Sequence, residues 1–190
     1  MQYTFCPHCT KTLVERVFDE DGGPTPRRAC PDDECGFIHY ENPTPAVGVL
    51  IEHNGDIVLA RAAGWPEGIF ALVTGYLEKN EDPLAAVKRE VKEETNLDVV
   101  HTEIIGNYIF ERKNEVMLCY FAKCSGEIKL SAELAETKRY QPNELRPWPR
   151  ATGFAVADWM RSRGLPVTFI DRPFIVVEPN VVKPAVTPIK

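Results

Sequence analysis

The sequence contains no apolar run approaching the ~18 residues a membrane-spanning helix needs. Its first residues, MQYTFCPHCTKTLVERVFDED, offer no apolar signal-peptide core and place cysteines where that core would lie. A cytoplasmic protein without membrane contact is the expectation. A basic excess is also missing. With 22 Lys+Arg against 28 Asp+Glu the formal charge is −6, whereas dedicated nucleic-acid binders carry a positive footprint. Internal repeats and low-complexity tracts are absent as well. What is present is an ordinary globular composition, 44% hydrophobic and 26% charged over 190 residues. That supports a compact core and suggests one domain with a small appendage.

Of six cysteines, four fall within the first 35 positions. Cys6-Pro-His-Cys9 is a C-x2-C pair and Cys30-Pro-Asp-Asp-Glu-Cys35-Gly36 a looser C-x4-C pair. Between them an alternating stretch, Thr12 to Phe18, runs into the turn-rich Asp19–Pro26. The pattern reads as two metal knuckles joined by a β-hairpin, the plan of a zinc ribbon. Four thiolates suit a closed tetrahedral site for Zn²⁺, with rubredoxin-like iron as the alternative that spacing does not separate. Disulfides or a redox pair are the other readings; the first is disfavoured without secretion, the second needs no second pair. So short a segment has little apolar surface to bury, so metal binding would supply most of its folding energy. His8 and His39 flank the knuckles as substitute ligands or as surface residues. Cys119 and Cys124, inside the apolar run Val116–Cys124, read as small core residues.

Asn42-Pro-Thr-Pro45 reads as a stiff linker, giving a ribbon at 1–41 and a body at 42–164. Apolar segments at 46–51 and 57–60 flank Asn54-Gly55, a strong hairpin signal. Further strands are expected at 69–73, 97–100, 104–110 and 116–123. Asp82-Pro83 opens a helix running to about Thr95, with Asn96 as a left-handed C-cap. A second helix is expected over 153–163. The strand–helix–strand order implies an α/β fold with a mixed sheet. The tail 165–190 holds five prolines among aliphatic residues and reads as an extended arm lying on its own body or on a partner.

On the first helix, Glu90, Glu93 and Glu94 lie within one turn of each other. Leu84, Val87 and Val91 form a separate apolar stripe. Converging carboxylates repel unless a cation neutralises them, and hard oxygen ligands at that density suit Mg²⁺ or Mn²⁺. Lys88-Arg-Glu-Val-Lys-Glu-Glu94 taken alone also fits a solvated helix laced with ion pairs. The wider spacing distinguishes the two. Gly75, five residues, Glu81, seven residues, then Arg89-Glu90-Val91-x-Glu93-Glu94-x-x-Leu97 resembles the Nudix box. Two family glycines are Asn80 and Asn96 here, and asparagine tolerates the left-handed backbone those positions use. The segment before the box reads Phe70-Ala-Leu-Val73 where the family usually has Trp-x-x-Pro. Cys35–Pro43 and Val47-Gly-Val49 extend the resemblance to Nudix hydrolases that carry an N-terminal zinc ribbon.

That resemblance implies an α/β/α sandwich around a mixed sheet. It implies a Mg²⁺-dependent pyrophosphohydrolase acting on a nucleoside diphosphate joined to another group. Glu90, Glu93 and Glu94 would be metal ligands, Arg89 would orient a box glutamate such as Glu81 or Glu93, and Gly75 would let the backbone approach the site. Glu78 and Arg61 would face substrate, each equally readable as an exposed surface residue. A later acid would complete the site, with Glu136 preferred over Glu133. Tyr76, Tyr108 and Phe110 are aromatics for stacking on a base, or core. Zinc-ribbon members acting on NADH carry a Ser-Gln-Pro-Trp-Pro-Phe-Pro-like array soon after the box. Here Ile105–Asn114 stands in its place, which points to the ADP-ribose or FAD pyrophosphatase branch, with NADH or NAD⁺ as the alternative. A second alternative is a nucleotide-sensing regulator whose ribbon, with Lys11, Arg16, Arg27 and Arg28, binds a partner or nucleic acid. Many relatives dimerise, so a homodimer is a further implication.

Overall fold

A computed structural model describes residues 3–170. They fall into two compact units divided between Pro43 and Thr44. In the first, β1 (Val14–Glu20) and β2 (Gly23–Ala29) form the expected hairpin between the cysteine pairs, and β3 (Ile38–His39) adds to β2 antiparallel. Among the described residues its buried core is small: the cluster of Cys6, Leu13 and Cys30, with Ala29 also buried.

The second unit is a six-stranded mixed sheet between two helices, as the sequence led us to expect. Its strands are β4 (Thr44–His53), β5 (Asp56–Ala62), β6 (Val73–Tyr76), β7 (Asp98–Phe110), β8 (Glu115–Ser125) and β9 (Leu134–Tyr140). They run in the order β7-β8-β4-β5-β9, with β6 pairing β4 beside β5. Only β4 and β8 are parallel. Asn54 (φ 57°) and Gly55 (φ 87°) make the β4–β5 turn in the left-handed conformation that pair permits.

The period-2 alternation of the strands builds two cores. Val47, Val49, Ile51, Val58 and Ala60 point to one face and pack under helix α1 (Pro83–Thr95) through Val87 and Val91, with Leu97 just past its end. Leu50, Ile57, Leu59, Met117 and Phe121 point to the other, under helix α2 (Thr152–Ser162) through Ala155, Val156, Trp159 and Met160. Cys119 and Cys124 are buried core thiols, both pushed up to about 12 by burial. Among the described residues no helix is long and apolar enough to cross a membrane.

Three expectations need correction. The strands expected at 97–100 and 104–110 are one strand, β7, interrupted by irregularities at Val99/His101 and Ile104/Gly106. These let the chain re-register against β8 without breaking, which no local pattern announces. The segment at 69–73 is mostly not a strand: Ala71 makes an isolated bridge to Ala60 and β6 begins at Val73. Leu84 does not belong to the docking stripe; it is exposed, and Ala86 takes the buried position beside Val87 and Val91. Of the proposed arm, Leu165, Val167 and Ile170 pack on the α2 core and Ile170 N–H donates to the Pro147 carbonyl (2.9 Å); its remainder, 171–190, lies outside the described residues.

Candidate functional site

The four N-terminal cysteines converge. Their sulfurs all lie within 4.8 Å of one another, with Cys9–Cys30 at 3.4 Å and Cys6–Cys35 at 3.6 Å. Sulfurs around a tetrahedral ion with bonds near 2.3 Å sit about 3.8 Å apart, so the donor set fits Zn²⁺. The spacing does this through two tight turns. Thr10 N–H donates to the Cys6 carbonyl (2.9 Å), and Cys35 and Gly36 N–H both reach the Asp32 carbonyl (3.2 and 3.3 Å). Thr10 and Gly36 take the left-handed conformation, each at φ 65°. Burial pushes the Cys35 thiol up to about 12, aided by its three sulfur neighbours. At Cys6 burial acts the same way, but backbone N–H donors from Cys9 and His8, together with hydrogen bonds from the Cys35 and Cys9 sulfurs, outweigh it and bring that thiol to about 7. Four thiolates in one pocket demand a cation. Neither His8 nor His39 belongs to the cluster; their rings lie edge-on to Phe37 and Tyr3. The basic residues here are largely answered by acids: Lys11 by Asp32 (2.6 Å), Arg16 by Asp33 (2.8 Å) and Arg27 by Glu20 (2.8 Å).

In the second unit the candidate residues gather at α1. Asp82 caps the helix by accepting from Leu84 N–H (2.8 Å), and Pro83 occupies N1 with its preset φ. Asn96 closes it at φ 64°, its N–H reaching the Lys92 carbonyl. Asn80 shares that conformation, so both asparagines do take the backbone that the family glycines would. These caps set the phase of the helix, and the phase carries Glu90 and Glu94 inward with Val87 and Val91. Both residues are buried, at 8% and 7% exposure.

Arg89 joins the cluster. It makes a bidentate pair with Glu81 (Nε–Oε1 2.7 Å, Nη2–Oε2 2.8 Å). Its Nη1 donates to Glu90 (2.6 Å) and Glu93 (3.1 Å), and its Nη2 to the Tyr76 carbonyl (3.0 Å). Glu81 also accepts from the Glu78 N–H (2.9 Å), and these bonds hold it down at about 2, the Arg89 pair foremost. Gly75 has a steric reason to be glycine: a Cβ there would overlap the Glu90 carboxylate.

Among the described residues Glu94 has no such partner. Burial first, then the charges of Glu90, Glu133 and Glu93, push it up to about 7, and burial raises Glu90 as well. A buried acid cluster under-supplied with cations, opened at Gly75, has the donor chemistry for Mg²⁺ or Mn²⁺. The sign of its effect on stability follows. In metal-free protein the folded state keeps the Glu94 proton up to about pH 7, while the unfolded chain releases it near 4.5. The folded state therefore binds more protons across that window, and stability falls as pH rises from about 5 to 7. Glu81, held low, titrates below the window. Urea melts of metal-free protein should show this fall, and Glu94→Gln should flatten it; parallel profiles would contradict the raised Glu94.

The remaining candidates are placed differently. Arg61 and Glu136 pair with each other across β5 and β9 (Nε–Oε1 2.7 Å), and Arg61 Nη1 donates to the Trp65 carbonyl (2.9 Å). The charge of Glu133 reaches Glu90 and Glu94, while Glu136 is paired with Arg61. Ala63 N–H fixes the Glu133 carbonyl (2.8 Å), which ties that loop to the end of β5. Glu78 contributes its backbone, and its side chain is exposed. Tyr76 OH donates to Glu115 (2.5 Å) and Tyr108 OH to Asp158 (2.8 Å), while Lys113 lies over the Phe110 ring. Sequence reasoning missed Glu115, a buried acid, because it opens an apolar strand with no motif around it.

The NUDIX domain family matches residues 42–160, which contain the whole carboxylate cluster. Two similar curated proteins are NAD-capped RNA hydrolases NudC. That of Stutzerimonas stutzeri is 29% identical over 140 residues, covering 73% of this chain and 48% of the relative. That of Pseudomonas putida strain W619 is 24% identical over 179 residues, covering 90% and 61%. The chain thus spans about half to three-fifths of the curated relatives it matches. A Nudix hydrolase crystal structure from Nitrosomonas europaea is 26% identical, with a TM-score of 0.63 over 88% of this chain and 99% of that one. With the family matched over well over half its length and the acid-bearing helix in place, this chain belongs to the Nudix family.

Proposed function

We propose that the protein is a Mg²⁺-dependent pyrophosphohydrolase that cleaves a nucleoside diphosphate joined to a second group, releasing a nucleoside monophosphate and a phosphorylated product. The observation that carries this reading is the buried pair Glu90 and Glu94 beside Gly75, with Arg89 saturating the neighbouring acids but not Glu94. Glu90, Glu94 and the more exposed Glu93 would hold the divalent ion. When bound, that ion neutralises diphosphate oxygens and stabilises the charge that develops on them. Arg89 keeps Glu81, Glu90 and Glu93 in fixed rotamers. A water forms a new bond to one phosphorus as the bridging P–O bond breaks, and a carboxylate accepts the water's proton. Glu133 is the supported acceptor, since its charge reaches Glu90 and Glu94 whereas Glu136 is engaged by Arg61. The ribbon reads as a structural Zn²⁺ module. Its paired cations leave little footprint for nucleic acid, which argues against a purely regulatory role.

ADP-ribose or FAD is the preferred substrate class, because Ile105–Asn114 lacks the aromatic-proline array of the NADH branch. A second reading, NAD⁺, NADH or an NAD-capped RNA end, is favoured by the likeness to the NAD-capped RNA hydrolases NudC. A panel of ADP-ribose, FAD, NADH, NAD⁺, NAD-capped RNA and diadenosine polyphosphates with Mg²⁺, read by chromatography of the mononucleotide released, separates them. Hydrolysis of none of these, with wild type and Glu94→Gln indistinguishable, would overturn the enzyme reading.

Gly75→Ala tests the ion site directly. The added methyl displaces Glu90, so Mn²⁺ affinity should weaken by about 10–100-fold, read by electron paramagnetic resonance of the free ion. Affinity within twofold of wild type would remove Glu90 from the site.

A further inference from the structure

Glu115 opens β8, away from the box in sequence, yet its side chain is buried. The Tyr76 hydroxyl donates to it at 2.5 Å, and Lys113 Nζ lies 3.7 Å from the same oxygen. In the sheet Ala46 pairs with Tyr76 and Thr44 with Glu115, so this bond spans three adjacent strands, β6, β4 and β8. Its other end is informative. Tyr76 follows Gly75, against which Glu90 is packed, and the Tyr76 carbonyl accepts from Arg89 Nη2 at 3.0 Å. β6 is four residues long and Tyr76 is its last; beyond it Leu77 N–H reaches the Pro45 carbonyl of β4 at the long distance of 3.4 Å. Short strand ends fray, and a charge-assisted hydrogen bond across the sheet opposes that.

We propose that Glu115 is a positioning residue for the Nudix site: by gripping the Tyr76 hydroxyl it fixes the end of β6, and through the Tyr76 carbonyl it holds Arg89 in the orientation that arranges Glu81, Glu90 and Glu93. Glu115 touches no reacting atom. Its contribution is to the geometry of the arginine, and it rests on the reading of that cluster as the active site.

Two readouts separate this inference from that reading. The first is the Arg89 Nε–H resonance in ¹⁵N spectra, which the bond to Glu81 should protect from exchange whether or not any substrate is turned over. Glu115→Ala and Tyr76→Phe should both broaden it or speed its exchange, while Glu115→Gln, which still accepts from the phenol, should keep it. The second is kinetic: kcat should fall about tenfold in Glu115→Ala and in Tyr76→Phe, with KM little changed, no further loss in the double variant, and recovery in Glu115→Gln. If Glu115→Ala fails to fold, Tyr76→Phe decides, because it removes one oxygen only. An unchanged Arg89 resonance in folded Tyr76→Phe overturns the proposal. A shifted resonance in a protein that hydrolyses none of the panel upholds the positioning and overturns the enzyme reading instead.

Discussion

Glu94→Gln is expected to lower kcat by roughly 10³-fold while raising the thermal stability of the metal-free protein. The two effects share one cause. Glu94 is buried, lies near Glu90, Glu93 and Glu133, and accepts no hydrogen bond from Arg89. Its charge is costly without a cation and is what a cation binds. Glutamine keeps the shape and removes the charge, so no cavity opens and the repulsion disappears. Losing an ion ligand that stabilises phosphoryl charge commonly costs about three powers of ten or more. Turnover measured on the substrate found by the panel, together with calorimetric melting in EDTA, checks both halves. Unchanged turnover would remove Glu94 from catalysis, and a lower melting temperature would show the charge to be compensated by other means.

Removing the metal from the cysteine cluster is expected to unfold the first unit. Its buried core among the described residues is Leu13 and Ala29 with cysteines, far too little apolar surface to offset the ordering of some 40 residues. Structural zinc supplies about 10–16 kcal/mol in comparable small modules. Metal analysis should find about one Zn²⁺ per chain, and a strong chelator or Cys9→Ser should collapse the amide spectrum of β1 and β2. All three tryptophans, Trp65, Trp148 and Trp159, lie in the second unit, so their fluorescence reports that unit separately during the experiment. Iron at the same stoichiometry would replace zinc in the account. An intact hairpin spectrum with neither metal bound would remove the metal from it.

Much of this was legible locally. Asp82-Pro83 and Asn96 bracket α1 because capping and left-handed tolerance belong to single residues and their immediate neighbours. The cysteine spacings suffice for two knuckles because a tight turn has few ways to return its side chains to one point. Asn54-Gly55 specifies a hairpin for the same reason. Leu84 was misplaced because a periodic count gives the angle around a helix but not where the sheet beneath it ends. The irregularities of β7 were invisible because they answer to the register of β8.

The division is sharpest in the site. The helix, its phase and the acids it carries are local properties, since they follow from backbone preference and a 3.6-residue period. Which of these acids lacks a cationic partner among the described residues is set by packing between distant segments. Arg89 meets Glu81 across a loop, Arg61 takes Glu136 through the β5–β9 register, and Glu115 reaches Tyr76 over β4. Each of those choices depends on strand pairing between distant segments. Burial and charge pairing are properties of that assembled neighbourhood, and they determine how strongly the carboxylate of Glu94 requires a cation.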